Sequence, residues 1–228
     1  AARPGSGVRM GNGRLSGRSL AVQDAGAADA FIVATGKNQL WMVESAAAGL
    51  SQTPMTSIDR TRALADMRFD QVEAVPIAGG EALVARGLDL ARVGLAADSV
   101  GACEAMFAQA LEYSKVREQF ERVIGSFQGV KHSLADMITA LEPAKALTWY
   151  AVHAQTALPR DEAHRMALHA KAHMAEVGRM VARFSTEVHG GMGFTDDLGL
   201  HYWFKRIGLD RQLLGSPEQI RGEIAPAA

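Results

Sequence analysis

The hydrophobic residues change their spacing near residue 80. From about Glu81 onward, apolar side chains recur at steps of three and four residues, or multiples of them, which is the spacing of one face of an α-helix. Three such stripes predict three long amphipathic helices: Val93, Ala97, Val100, Phe107 and Leu111; Phe127, Val130, Leu134, Met137 and Leu141; and Met166, Ala170, Met174, Val177, Val181, Phe184 and Val188. Because each stripe must be buried against a neighbour, residues 81–228 are predicted to form an antiparallel helical bundle, with shorter helices after Thr195.

Two features predict breaks in this bundle. Pro143 lies inside the second stripe and is predicted to kink or split its helix, since proline lacks a backbone N–H. The segment from Leu158 to Asp161 contains Pro159 and is predicted to connect the second and third helices, with Asp161 as the helix cap.

Residues 1–80 instead predict an antiparallel β-sheet. The predicted strands are Ser19–Gln23, Phe31–Thr35, Leu40–Glu44 and Ala63–Val72, and turn residues separate them at Asn12-Gly13, Gly36-Lys37-Asn38 and Gly49. Gly36-Lys37-Asn38 between two apolar runs is typical of a hairpin. So few strands leave exposed edges that other segments must pair with. The predicted fold is therefore α+β, with a partial sheet domain at 1–80 and a helical domain at 81–228.

Composition excludes several classes of function. The 24 Lys and Arg residues against 25 Asp and Glu leave no basic surplus for neutralising phosphates, so nucleic-acid binding is not expected. Cys103 is the single cysteine, and we interpret it as a small core residue. A lone cysteine cannot form an intramolecular disulfide, so the chain suits a reducing compartment. No apolar run approaches a bilayer span, and residues 1–10 lack a signal core, so a cytoplasmic protein without membrane insertion is expected; the mitochondrial matrix stays open if a targeting segment precedes Ala1.

A cation, an aromatic ring and an amide stand close together between the first two helices. Arg117 offers a planar fork for a pyrophosphate, Phe120 a face for a ring, and Gln128 both a donor and an acceptor. A nucleotide could use all three. The plainer alternative, which the spacing leaves open, is a surface arginine, a core phenylalanine and an amide at a helix start.

A glycine-rich cluster ends the third stripe. Glycines in Glu187–Thr195 let the backbone approach a ligand, although an ordinary helix C-cap also requires glycine. His169 and His173 are four residues apart on one helix face, a spacing that can hold a metal ion. No third ligand with suitable spacing follows, so we expect solvated helix histidines and no metal site.

Two groups of residues carry a resemblance to a known family. They are Arg117-Glu118-Gln119-Phe120 with Gly125-Ser126-Phe127-Gln128 and then Ala135-Asp136-Met137, and His189-Gly190-Gly191-Met192-Gly193-Phe194. The first resembles the arginine-x-x-phenylalanine signature and glutamine-bearing helix of the acyl-CoA dehydrogenase family, and the second resembles that family's second signature. Leu15-Ser16-Gly17 and Ala27-Ala28-Asp29 are similar to its middle β domain.

The resemblance implies an architecture and a cofactor. It implies part of a β-barrel followed by a four-helix bundle that builds dimer and tetramer contacts, with a helical domain and the first half of the β domain expected upstream. It also implies FAD, with the following residues in contact with it: Arg117, Phe120 and Gln128 at the ADP portion, and Glu187, His189, Gly190 and Gly191 from a neighbouring subunit. Glu187, which only accepts hydrogen bonds, replaces the family's usual glutamine. Glu121 replaces a usual glycine, a residue that adopts turn conformations more readily.

The family's catalytic base is missing from both positions where the resemblance would place it. The usual glutamate corresponds to Gly215, and the alternative site on the first bundle helix corresponds to Ala91. Arg92, which the family pairs with its glutamate, is then either a cation on the bundle surface or still a guard of the pocket. Glu218 is the nearest carboxylate, but it points elsewhere if Ser216 or Pro217 begins a helix. The N–H of Gly215 can still bind a thioester carbonyl.

The leading hypothesis is an FAD-dependent subunit that introduces an α,β double bond into an acyl-CoA thioester. It would act in a homo- or hetero-oligomer, with electron-transfer flavoprotein as its acceptor. The alternative is a non-catalytic structural subunit that completes the FAD site of a heteromeric enzyme. A flavin monooxygenase or an acyl-CoA oxidase on the same fold also stays open, because fold does not fix reaction.

Overall fold

A computed structural model describes residues 7–35 and 39–225 of the chain. The chain divides into two compact units, Ala1–Leu88 and Asp89–Ala228. The combination of antiparallel strands followed by helices confirms the predicted α+β class. None of the helices in the described ranges is long and apolar enough to cross a membrane.

The first unit contains seven strands in two antiparallel sheets. Their bounds are β1 (Val8–Gly11), β2 (Arg14–Gln23), β3 (Ala30–Thr35), β4 (Gln39–Glu44), β5 (Leu50–Met55), β6 (Leu64–Glu73) and β7 (Val75–Ile77). One sheet has the order β1-β2-β6-β5 and the other the order β3-β4-β7. Each of the four predicted strands overlaps an observed one. The short or polar strands β1, β5 and β7 were missed because they carry little apolar alternation, and β5 and β7 each contain a proline.

The two sheets are joined by one core. Leu15, Met67, Phe69 and Val72 are buried in it, and alternation along β6 directs Met67 and Phe69 to the same face. The predicted turn Gly36-Lys37-Asn38 lies outside the described residues. The strands that flank it pair in register up to Thr35 and Gln39.

The second unit is built from three long helices and two short ones. Their bounds are α1 (Gly80–Val116), which begins in the first unit, α2 (Gln128–Ala157), α3 (Arg160–His189), α4 (Leu200–Gln212) and α5 (Pro217–Ile224). A two-stranded hairpin, β8 (Glu118–Gln119) and β9 (Arg122–Val123), connects α1 to α2. Met106, Met137, Leu141 and Val181 are fully buried in the bundle core. Cys103 joins them, which confirms its interpretation as a core residue, and burial raises the pKa of its thiol to about 12.

Pro143 does not split α2, so that part of the prediction is wrong. The helix runs from Gln128 to Ala157 with Pro143 on its exposed side. The carbonyl that proline leaves without a helical partner therefore faces water. Leu141 and Ala144, on either side of Pro143, are buried in the core, which holds both halves of the helix in place.

Asp161 does not cap α3, and that prediction is also wrong. The helix begins at Arg160 after Pro159, and no side chain makes the capping hydrogen bond. Asp161 lies in the first turn, where a carboxylate interacts favourably with the helix dipole. The start of α3 is tied to α1 by the fully buried Asp89, whose carboxylate binds the Arg160 guanidinium and His164 Nδ1.

Candidate functional site

The hairpin between α1 and α2 has a two-residue loop in a strained conformation. Glu118 pairs with Val123 and Gln119 with Arg122, which leaves Phe120 and Glu121 as the loop. Both loop residues have positive φ, 54° and 62°. Residues with a side chain pay about 1–2 kcal/mol each for this left-handed region. The turn therefore forms although Glu121 stands where the family usually has glycine.

Phe120 is held out into solvent by this turn. Its side chain is 87% exposed, so the reading of Phe120 as a core residue is wrong. Phe127 lies edge-on to it with a ring-centroid distance of 6.1 Å, and the Arg122 guanidinium lies over the Phe127 ring at 3.9 Å. A strained backbone that presents an exposed aromatic ring is typical of a site for a ligand or a partner.

Arg117 combines a fixed backbone with a free side chain. Its N–H donates to the Tyr113 carbonyl at 2.9 Å, and its own carbonyl accepts from the Ile124 N–H at 2.7 Å. The side chain is exposed, and within residues 7–35 and 39–225 its guanidinium makes no ion pair or hydrogen bond. Gln128, also exposed, is the first residue of α2, where the helix dipole favours negative charge.

The glycine cluster lies at the same end of the bundle. α3 ends at His189, whose buried ring stacks on Tyr113 with a centroid distance of 4.5 Å. Nδ1 of His189 donates to the Ser185 carbonyl at 2.7 Å, which fixes the tautomer. Tyr113 lies one helical turn before Arg117. The ends of α1 and α3 that carry the two clusters therefore lie side by side, and we call residues 117–128 with residues 187–194 the hairpin end. The resemblance still predicts that His189, Gly190 and Gly191 contact the FAD of a neighbouring subunit.

Gly190 and Gly191 give the hairpin end an open backbone surface. Gly190 has φ 60° and ψ −138°, a conformation that requires glycine, and it begins a 3₁₀ turn that extends to Phe194. A Cβ added at either glycine would meet no atom within 4 Å, so a ligand could approach the backbone there. Phe194 is exposed beside them, and Glu187 is exposed and paired with Arg183 at 3.4 Å.

The second candidate region is the segment Leu213–Ser216, which we call the α4–α5 loop. Leu214 and Gly215 both have positive φ, 58° and 112°. Ser216 caps α5 and exchanges hydrogen bonds with Gln219, which confirms that a helix begins at Pro217. A side chain added at Gly215 would place its Cβ 3.9 Å from Arg92 Nη2.

Arg92 is buried, so its interpretation as a surface cation is wrong. It is 7% exposed, and its Nη2 lies 2.9 Å from Glu223 Oε2. Its Nε also donates to the Leu214 carbonyl at 3.2 Å. The guanidinium therefore faces the Gly215 position, but Glu223 of α5 supplies its counter-ion. No sequence pattern indicated Glu223.

Lys171 is a second buried cation that sequence reasoning missed. It is 2% exposed, and its Nζ donates to the carbonyls of Arg211 at 3.3 Å and Gly215 at 3.4 Å. Desolvation lowers the pKa of Lys171 to about 8, and the nearby Arg92 and Arg211 act in the same direction against the attraction of Asp210. A signal was present, since Lys171 lies beside Ala170 of the third apolar stripe and one turn before Met174.

Glu218 is exposed and paired, and it makes a weak proton acceptor. Its carboxylate lies 2.8 Å from the Arg211 guanidinium. The Ser216 side chain, the backbone N–H of Glu218 itself and then Arg211 stabilise its charged form and lower its pKa to about 2. Among the described residues there is no group of three His, Cys, Asp or Glu side chains that could hold a metal ion, and His169 and His173 remain interpreted as solvated histidines.

Comparison with known proteins relates the chain to one family. Residues 78–228 match the family described as acyl-CoA dehydrogenase, C-terminal domain. Acyl-CoA dehydrogenase IpdE2 of Mycobacterium tuberculosis is 34% identical over 170 residues, which are 75% of this chain and 49% of that protein. Caffeyl-CoA reductase-Etf complex subunit CarC of Acetobacterium woodii is 34% identical over 107 residues, which are 47% of this chain and 28% of that protein.

A solved structure agrees over nearly the whole chain. The structure described as "Tcur3481-Tcur3483 steroid ACAD G363A variant" has a TM-score of 0.89 and 31% sequence identity, and the match covers 98% of this chain and 62% of the other. The chain spans about half the length of IpdE2. A family match over about two thirds of the chain carries the assignment, and the fold agrees with it. The chain therefore belongs to the acyl-CoA dehydrogenase family.

Proposed function

We propose that this chain is a subunit of an FAD-dependent oxidoreductase that introduces an α,β double bond into an acyl-CoA thioester. The hairpin end would bind the ADP portion of FAD. The observation that carries this proposal is the Arg117 guanidinium, which is exposed and without a protein partner among the described residues, on a backbone fixed at both its N–H and its carbonyl.

The residues of the hairpin end fit a dinucleotide. Arg117 can donate two parallel hydrogen bonds to a pyrophosphate. Phe120 offers an exposed ring, and Gln128 an amide that both donates and accepts. Gly190 and Gly191, which the resemblance assigns to the FAD of a neighbouring subunit, leave room for phosphate or ribose oxygens beside the backbone. When bound, FAD would supply the acceptor for the hydride that leaves the β-carbon of the substrate.

The α4–α5 loop would bind the thioester. The N–H of Gly215 is a donor that can polarise the thioester carbonyl, and this polarisation makes the α-proton easier to remove. Arg92 and Lys171 hold the loop by its carbonyls. The base is the part that this chain does not supply at Gly215, and Glu218 is a weak proton acceptor.

A second function is favoured by the environment of Gly215. At φ 112° that residue has a conformation which disfavours a side chain, and Glu223 already neutralises Arg92. A chain built in this way suits a structural subunit that completes the FAD site of a catalytic partner. CarC is named as a subunit of an Etf complex, and the name of the solved relative joins two proteins. We therefore propose that the chain assembles into a hetero-oligomer and that electron-transfer flavoprotein is one of its partners.

The cofactor proposal is tested by Arg117→Ala in the native assembly. We expect the parent assembly to be yellow and the variant to bind FAD about 10- to 100-fold more weakly, because a charged hydrogen-bond donor contributes about 1.5–3 kcal/mol. Absorbance of bound flavin and titration with FAD measure this. Arg165→Ala is the matched control, since Arg165 is an exposed arginine of α3 outside both candidate regions.

Two outcomes would reject the proposal. The first is a colourless parent assembly that takes up no added FAD. The second is equal FAD affinity in the parent, Arg117→Ala and Arg165→Ala, because Arg117 would then be only a surface cation.

A further inference from the structure

The α4–α5 loop is held by its backbone carbonyls. Arg92 Nε donates to the Leu214 carbonyl at 3.2 Å, and Lys171 Nζ donates to the Gly215 carbonyl at 3.4 Å and to the Arg211 carbonyl at 3.3 Å. Arg211 lies at the end of α4, where carbonyls lack helical partners. Two buried cations from α1 and α3 thus satisfy three carbonyls in and beside this loop.

These contacts fix the two peptide planes on either side of Gly215. The Leu214 carbonyl shares a plane with the Gly215 N–H, and the Gly215 carbonyl shares the next plane with the Ser216 N–H. Fixing each carbonyl therefore fixes the opposite N–H. The Ser216 N–H already donates to Gln219 at 3.0 Å, whereas the Gly215 N–H is directed by the bond from Arg92 and by the φ that Lys171 helps to maintain. Positive φ at Leu214 and Gly215 persists only when surrounding contacts enforce it.

Lys171 is a costly residue to place in this position. Ala167 and Met174, which lie one turn before and after it on the same side of α3, are buried and apolar. The charged groups that act on it are Asp210 and Arg211 of α4 and Arg92 of α1. Both arginines are themselves paired, Arg92 with Glu223 and Arg211 with Glu176 and Glu218. Asp210 attracts the ammonium group, and the hydrogen bonds of the ammonium group go to the carbonyls of Arg211 and Gly215.

We propose that Lys171 is a positioning residue whose ammonium group holds the α4–α5 loop in the conformation that presents the Gly215 N–H. The contacts that hold the loop are made by residues of this chain. That the presented N–H binds a thioester rests on the proposed function.

The titration of Lys171 gives this proposal a characteristic pH dependence. The pKa of Lys171 is about 8 in the folded protein and ordinary, near 10.5, in the unfolded chain. Between these values the unfolded chain binds more protons, so the free energy of unfolding rises as the pH rises from about 8 to 10.5. In the same range the loop loses its charged donor. The contribution of Lys171 to the free energy of unfolding therefore rises with pH while the loop becomes more mobile.

Hydrogen exchange measured by mass spectrometry tests this in the native holo-assembly. At pH 7, after correction for intrinsic rates, Lys171→Met should speed exchange of residues 213–216 about tenfold, the effect of one charged hydrogen bond. The parent should approach the variant as the pH passes 8. Lys145→Met is the control, because it makes the same substitution at a lysine that pairs with Glu104 and does not contact the loop.

Two outcomes would overturn the proposal. Loop exchange that is equal in the parent and Lys171→Met would overturn it, even if the pH dependence of stability disappears in the variant, because Lys171 would then be only a buried charge. If Lys171→Met does not fold, the parent alone decides, since loop exchange without a step near pH 8 also overturns it. Flavin absorbance is recorded on the same samples. A colourless parent would reject the proposed function but leave the loop comparison readable.

Discussion

Two arginines, one within α1 and one directly after it, show how the two candidate regions differ. Arg92 and Arg117 are 25 positions apart on and just after α1, which is about 37 Å along a helix. Arg92 is buried and bound to Glu223 and to the Leu214 carbonyl. Arg117 is exposed, and no described residue binds its guanidinium. The first cation is satisfied within the chain, and the second is available to a molecule from outside it.

The two regions also differ in what holds their residues at positive φ. At the α4–α5 loop, buried cations hold Leu214 and Gly215 at positive φ. At the hairpin end, Phe120 and Glu121 have positive φ in an exposed two-residue turn closed by strands of two residues each. The conformation of this loop is therefore held by contacts within the chain. The hairpin end has strain and exposed apolar surface that a bound cofactor or subunit would stabilise.

The largest expected effect tests whether the α4–α5 loop can be made into a complete catalytic site. In the native assembly, Gly215→Glu alone should react poorly with acyl-CoA, because positive φ costs about 1–3 kcal/mol and Glu223 occupies Arg92. Gly215→Glu with Glu223→Gln should free Arg92 for the new carboxylate and speed anaerobic flavin bleaching about 10²- to 10⁴-fold over the parent. Stopped-flow absorbance with a series of acyl-CoA chain lengths measures this.

Other outcomes of the same experiment assign the base differently. If the parent already bleaches quickly and Glu218→Gln abolishes the reaction, Glu218 is the base despite its low pKa. If none of the variants reacts at any chain length while a partner subunit does, the chain is the structural half of a heteromeric enzyme.

A pair of matched substitutions tests whether the two arginines differ in their contribution to stability. Arg92→Met should lower the free energy of unfolding by about 2 kcal/mol, because it removes charged hydrogen bonds from a buried site. Arg117→Met should change it by less than about 0.5 kcal/mol, since the side chain is exposed and unpaired among the described residues. Urea unfolding without added FAD measures both. Equal destabilisation would show that exposure does not distinguish the two sites.

The smallest expected effect concerns strain at the hairpin end. Glu121→Gly should raise the free energy of unfolding by about 0.5–1 kcal/mol, because glycine adopts positive φ without a side-chain penalty. Glu118→Gly is the control, since Glu118 lies in β8 and not in the loop. It should be neutral or destabilising. Thermal unfolding without cofactor measures both, and a loss of stability in Glu121→Gly would mean that its side chain supports the turn.

Local pattern was enough to predict the long helices, whereas the residues of the hairpin end were singled out by the resemblance to a family. The apolar stripes of the bundle repeat every three to four residues, so the period alone indicates the buried face of each helix. Arg117, Phe120 and Gln128 lie within twelve positions of sequence, and their signature is readable without a fold. Capping was less predictable: Ser216 was correctly associated with a helix start, whereas Asp161 was not the cap, because Pro159 moved the start of α3 to Arg160.

Only the tertiary structure decided how the charges are paired. Arg92 and Glu223 are 131 positions apart, and Lys171 and the Gly215 carbonyl are 44 apart. Such pairs depend on which helix faces meet, and no local period encodes that. The stack of Tyr113 on His189 likewise depends on how α1 packs against α3, and local sequence does not encode it. The sequence by itself thus determined the helices and the residues available for chemistry. Packing determined which cations are buried and paired. A buried charge without a partner costs much free energy, whereas an exposed charge stays hydrated and costs little.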